Sequence, residues 1–284
     1  MNLSPHVAGD FAVDGFVALD GVLGDADLAC AEEAIDAWCV RQIEAWTGAA
    51  PCGGDIKAAF FAAWRNAGGG EFRRSPFRNL VHPGFYAFLR SPPLLAVAAE
   101  LLQTDELSVH GIFNARPMMP DAPPTPWHQD AQYWRAHGGG AAKLALGRRI
   151  LSMWMPLQDL DPILGGLEVA PLATTKSKLY ADDVRDAATD LLTLAPDEKR
   201  GLHGVVPMVK RGGLIGFSHL SVHRGTPNRS QRIRWSVDVR YEANDGATPF
   251  GRRFGFVASS PSGRFPEDTY EQWRDRCCAN LPPS

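Results

Sequence analysis

Hydrophobic spacing divides this chain into two regimes. Over residues 25–46, Leu28, Ala31, Ile35, Trp38, Gln42 and Trp46 recur three or four apart, with only Gln42 off the apolar stripe. That period predicts an amphipathic helix. Ser91-Pro92 predicts a second helix start, with Ser at the N-cap and Pro at the first helical position. Leu94, Leu95, Ala98, Leu101 and Leu102 would form its buried stripe. Beyond Leu107 the period shortens. Leu107–Phe113, Ile150–Pro156, Leu167–Pro171, Leu214–Phe217 and Ile233–Tyr241 read as short strands punctuated by Gly and Pro. In the last of these, Ile233, Trp235, Val237, Val239 and Tyr241 share one face, while Arg232, Arg234, Ser236, Asp238 and Arg240 share the other.

Short strands in series, without long helices between them, predict a mainly β fold with flanking helices, a sandwich or jelly roll rather than a doubly wound sheet. The expected organisation is one domain. Helical support occupies roughly 1–104, a jelly-roll core roughly 105–245 and a C-terminal extension 246–284. Residues 181–203 read as a polar helical insertion, and 131–149, with Gly138-Gly139-Gly140, as a mobile loop. The charged face of the Ile233–Tyr241 strand has two readings. It is either the solvent side of an edge strand or a barrel interior holding an anionic ligand, with Asp238 and Arg240 paired deeper in.

Composition narrows the class. The 284 residues, 45% of them hydrophobic, suffice for a large single core. A net charge of −3 argues against a nucleic-acid footprint. No run approaches the roughly 18 apolar residues of a membrane span. The N-terminal residues lack a secretory pattern. Five Cys without a C-x-x-C pair fit a reduced, cytoplasmic setting.

The chemistry concentrates in Trp127-His128-Gln129-Asp130, answered by His223 and then Arg234. If the first segment is a strand, its period of two sends His128 and Asp130 to one side. His223 from a distant strand would complete two imidazoles and a carboxylate, the set that suits Fe(II) in a non-heme oxygenase and leaves positions open. Arg234, eleven residues after His223, could hold the far carboxylate of a 2-oxo acid. His-x-Asp alone is expected about 0.5 times by accident in such a chain, so the weight rests on the order of the pieces. His219 competes with His223, and Arg232 with Arg234, because each pair shares a face. His137-Gly138-Gly139-Gly140 also resembles a hydrolase oxyanion turn, but the Gly-x-Ser-x-Gly elbow that it requires is missing.

Together, Pro126-Trp127-His128-Gln129-Asp130, Ser152-Met153-Trp154-Met155-Pro156-Leu157, Gly165-Gly166-Leu167-Glu168-Val169-Ala170-Pro171, the run from His223 to Ser230 and the strand Arg234–Tyr241 resemble the phytanoyl-CoA dioxygenase-like family of Fe(II)/2-oxoglutarate oxygenases. The resemblance covers roughly residues 75–245. It implies a double-stranded β-helix, with His128, Asp130 and His223 as iron ligands and Arg234 on the 5-carboxylate of 2-oxoglutarate. It places Trp154 beside the cosubstrate and Asn114 as a further contact. Where the family often has Ser two residues after the second His, this chain has Gly225, so Thr226 is left to supply a hydroxyl. An acidic residue at position 130 favours hydroxylation over halogenation. Tyr133, Trp134, Arg116 and His137 are the candidates for substrate contact. The implied reaction hydroxylates a small molecule of secondary metabolism, consuming O2 and releasing succinate and CO2. The alternatives are a jelly-roll metal isomerase or hydrolase, or a non-catalytic binding module. Neither of these requires Arg234.

Overall fold

The computed structural model describes residues 5–69, 80–136, 149–175, 178–181, 183–244 and 254–280. After α1 (Pro5–Asp14) and a short strand, β1 (Phe16–Leu19), the first long helix, α2 (Asp25–Thr47), lies where the spacing places it. It buries Leu28, Ala31, Ile35 and Trp38 together with Ala34, Cys39 and Ile43. It stops at Gly48, whose φ of 77° is a left-handed cap that glycine adopts without a Cβ clash. α3 (Ile56–Asn66) is capped by the Asp55 side chain, and α4 (Pro83–Leu89) leads into α5 (Pro92–Leu102). Ser91 holds the N-cap position of α5, but its hydroxyl makes no capping hydrogen bond. Val97 joins Leu94, Ala98, Leu101 and Leu102 in the buried stripe, whereas Leu95 is only half-buried. Leu95 sits one residue, about 100° of helix turn, round from Leu94.

The strands are β2 (Leu107–Val109), β3 (Asn114–Met118), β4 (Ile150–Pro156), β5 (Leu167–Val169), β6 (Leu214–Ser218), β7 (His223–Gly225), β8 (Arg234–Ala243) and β9 (Phe256–Ser259). The main sheet is antiparallel, in the order β1-β6-β4-β8-β2-β9, with β3 also on β8. The strand expected over Leu107–Phe113 ends early, at Val109. β2 and β3 share one edge of β8, with Val109 opposite Tyr241 and Asn114 opposite Asp238. Residues 110–113 therefore face only Val239 and Arg240, and the excess must leave the ladder.

β5 and β7 form a second sheet, extended by bridges from Val169 to Val205 and from His223 to His128. Leu167 and Val169 of this sheet cluster with Trp154, Ile215 and Phe217 of the main sheet, so the two sheets face each other. The opposite face of the main sheet packs on the helices. There Trp235 meets Phe60 at 5.6 Å and Trp38 at 6.4 Å between ring centroids. Because β8 is flanked on both edges and buried throughout, its charged face is interior and not a solvated edge.

Two expectations change. Residues 181–203 are not a helical insertion. Asp186 accepts from the Ala188 and Thr189 N–H groups, which favours a turn, and Arg185 bridges Leu192. Among the described residues of that range only Pro196–Lys199 is helical, following the one-turn helix Leu172–Thr175. Of the proposed loop 131–149, residues up to Ala136 belong to α6 (Asp130–Ala136), and 137–148 lie outside the described residues. The C-terminal segment returns to the body through β9 on β2 and through the final helix, Tyr270–Asn280. Its fully buried Trp273 lies 5.3 Å from Phe256 and 5.8 Å from both Phe113 and Tyr86. Among the described residues, no single helix is long and apolar enough to cross a membrane.

Candidate metal centre

His128 and His223 face each other across the margin of the small sheet. Their backbones exchange hydrogen bonds of 3.0 and 2.9 Å. Such a pair places both side chains on one side of the ladder, and the imidazole centroids are 4.2 Å apart. Asp130 arrives differently from expectation. His128 makes only a single bridge, and Asp130 opens α6, so a turn and not a strand period brings them together. Gln129 fixes that turn: its side chain donates to the Lys178 and Leu220 carbonyls and accepts from the Tyr180 N–H. The result is nonetheless the expected cluster. One ligand atom from each of His128, Asp130 and His223 lies within 4.8 Å of the others, and all three residues are buried.

The protonation pattern suits a divalent cation. His128 Nδ1 is 2.8 Å from the Pro126 carbonyl, and His223 Nδ1 is 2.9 Å from the Ser221 carbonyl. A carbonyl only accepts, so each Nδ1 carries the proton and each Nε2 keeps a lone pair for a metal. Burial, reinforced by the neighbouring His223, pushes the His128 imidazole down to about 3. Burial likewise lowers His223. For Asp130, burial acts upward, but Arg240 and then His223 outweigh it and hold the carboxyl well below the usual carboxylate range. The trio is two neutral imidazoles and one anion.

Behind it runs a buried charge chain. Arg240 donates from Nε to Asp130 Oδ2 and from Nη2 to Oδ1, each at 2.8 Å, while Ser152 Oγ donates to Oδ2 at 2.6 Å. Arg240 Nη1 reaches Asp238 at 2.6 Å, as the pairing read from the strand requires. Asp238 in turn accepts from Asn114 Nδ2 at 2.8 Å and from Arg116 Nε. Sequence reading gave Ser152 no role and did not extend Arg240 to Asp130. The available signal was that Ser152 lies two residues before Trp154 and so shares its face.

Arg234 occupies the same interior. It is 5% exposed, donates from Nη1 to the Gly166 and Thr226 carbonyls at 3.1 and 3.2 Å, and lies 5.8 Å from the Trp154 ring centroid. Its Nε has no partner, and among the described residues no carboxylate pairs with it. Burial, then Arg116, lowers it to about 10, so it stays charged at neutral pH. Two residues on, Ser236 is fully buried with its hydroxyl unpartnered. Neither feature is stable in isolation: a buried cation and a buried hydroxyl both require partners. Both fit an incoming carboxylate.

The other candidates separate. Arg232 lies at the surface on Asp161. His219 belongs to no ligand cluster among the described residues and is not on one strand with His223. It stands 3.3 Å from the Ile150 carbonyl and stacks on Trp134. Trp134 is wedged between His219 and His110, whereas Tyr133 presents its ring edge-on to His128 at 5.4 Å. The Thr226 hydroxyl accepts from the Gly166 N–H at 2.6 Å, tying β7 to the turn before β5. Arg116 is partly exposed, with its side chain at 38%. His137 lies outside the described residues.

A family model, Phytanoyl-CoA dioxygenase (PhyH), matches residues 11–236, well over half of the chain. No curated protein matches it. Solved structures of similar fold include AviO1 from Streptomyces viridochromogenes, at 18% identity and TM-score 0.57, covering 88% of this chain and 99% of that one. The non-heme alpha ketoglutarate dependent carbocyclase SnoK from nogalamycin biosynthesis aligns at 16% identity and TM-score 0.58, over 95% of each chain. The epimerase SnoN, in complex with Fe3+, alpha ketoglutarate and nogalamycin RO, aligns at 17% identity and TM-score 0.56, over 91% of this chain and 86% of that one. The family match, the jelly roll and the buried His-Asp-His cluster agree, and the chain belongs to the phytanoyl-CoA dioxygenase family of iron- and 2-oxoglutarate-dependent oxygenases.

Proposed function

We propose that this chain, acting as one domain, hydroxylates a small molecule of secondary metabolism, with 2-oxoglutarate and O2 as cosubstrates and succinate and CO2 as coproducts. The observation that carries the reading is the pairing of a buried His-Asp-His cluster with a buried arginine that has no anion among the described residues. His128 and His223, through Nε2, and one oxygen of Asp130 would hold Fe(II). Arg234 would take the far carboxylate of 2-oxoglutarate in a two-pronged grip, with the Ser236 hydroxyl as a second donor and Trp154 alongside. Asn114 would act through Asp238, and Thr226 through the loop it ties down. Tyr133, beside His128, and the partly exposed Arg116 would meet the substrate. Bound iron with its cosubstrates supplies oxidative decarboxylation coupled to oxidation of a substrate C–H.

The structural relatives support the small-molecule part of this reading, since SnoK comes from nogalamycin biosynthesis and SnoN binds nogalamycin RO in its complex. The first is a carbocyclase and the second an epimerase, so hydroxylation needs its own test. Turnover under isotopically heavy dioxygen should place one labelled atom in succinate and the other in the organic product. Label in succinate but not in product would replace hydroxylation with a cyclisation or epimerisation. No labelled succinate, with or without substrate, would overturn the oxygenase reading in favour of a metal isomerase, hydrolase or binding module.

A further inference from the structure

Asp130 offers the metal far less than a carboxylate usually does. An ionised carboxylate has about four acceptor positions, two on each oxygen. Oδ2 already accepts two donors, Ser152 Oγ at 2.6 Å and Arg240 Nε at 2.8 Å. Oδ1 accepts one, Arg240 Nη2 at 2.8 Å. One position remains, and it is on Oδ1. We infer that Arg240 and Ser152 form a positioning clamp that makes Asp130 bind metal through Oδ1 alone. The inference rests on the assignment of His128, Asp130 and His223 as metal ligands.

The clamp cannot easily swing away. Arg240 is held from behind by Asp238 at 2.6 Å and by the Ile112 carbonyl at 3.3 Å. Ser152 and Arg240 are register partners across β4 and β8, and both are buried. The consequence is chemical. A carboxylate bound through both oxygens would occupy a coordination position that the two-pronged 2-oxo acid and O2 together require. Restricting Asp130 to one oxygen keeps three positions open on the far side of the metal. The guanidinium also draws charge from the carboxylate, making it a weaker donor without removing it.

The test uses Co(II) alone as the probe, in the intact chain. A crystal structure of the Co(II)-loaded protein should show Oδ1 bonded to the metal and Oδ2 still on Ser152 and Arg240. A bond through Oδ2, or through both oxygens, overturns the clamp. In solution, Ser152→Ala frees a position on Oδ2 and should change the visible Co(II) absorption, while Ser152→Thr should restore the wild-type spectrum. An Ala variant with an unchanged spectrum overturns the inference. Arg240→Lys, if it folds by thermal melting, should weaken Co(II) binding by about 10–100-fold. His128→Ala serves as the control. If Co(II) binding is unaffected there, the ligand assignment fails, an outcome distinct from failure of the clamp.

Discussion

Among the described residues Arg234 is a cation buried without an anion, and that state is costly unless a ligand completes it. Arg234→Ala should therefore remove a charge-assisted, two-pronged contact worth about 3 kcal/mol, on the order of a hundredfold in Kd for 2-oxoglutarate. Calorimetric titration of 2-oxoglutarate into metal-loaded variant and wild type measures this, and equal affinities would remove Arg234 from the site. The imidazoles give a pH signature. His128 is pushed down to about 3 in the folded chain from an ordinary 6.5. The unfolded chain thus binds more protons between those values. Stability of the metal-free protein is fully present above about pH 6.5 and declines as pH falls toward about 3. Urea melts over this range should show the decline, and His128→Gln, which cannot titrate, should show a shallower one. Parallel slopes would contradict a buried neutral His128. The His128-Asp130-His223 cluster and the buried Arg234 were legible in the sequence because their types and order are unusual together. Ser152 and the reach of Arg240 to Asp130 were not, because they depend on how β4 registers against β8, a pairing between segments far apart in the chain.

The most readable element was β8. Its strict alternation placed Trp235, Val237, Val239 and Tyr241 on the helices and the charged residues inside, although only the strands along both of its edges decided between interior and edge. The least readable were short segments whose conformation comes from side-chain capping. Asp130 looks like a strand residue in the motif but opens a helix, because Gln129 ties the turn to the carbonyls of two remote segments. Residues 181–203 carry helix-compatible polar residues, yet the Asp186 turn prevails. The final helix was absent from the sequence reading, and its weight falls on one residue. Trp273 fills a site lined by Tyr86, Phe113 and Phe256, and its Nε1 donates to the Phe254 carbonyl at 2.7 Å. Trp273→Ala should cost about 3–5 kcal/mol in urea unfolding. A loss below 1 kcal/mol would mean that this helix is not part of the cooperative core.

For the molecule as a whole, helices cover one face of a large antiparallel sheet and a small sheet covers part of the other, so polar chemistry is enclosed between two β layers. The same architecture recurs in solved structures at 16–18% identity, which locates what is shared in the frame. The central claim is that this enclosed site binds Fe(II) and 2-oxoglutarate together, and one measurement tests it most directly. Under anaerobic conditions, Fe(II) and 2-oxoglutarate are added to the apo-protein while the visible charge-transfer absorption of the chelate is followed. The band should appear only when both are present, disappear in His223→Ala and require much more 2-oxoglutarate in Arg234→Ala. No band at saturating concentrations, or one of equal strength in His223→Ala, would contradict the account.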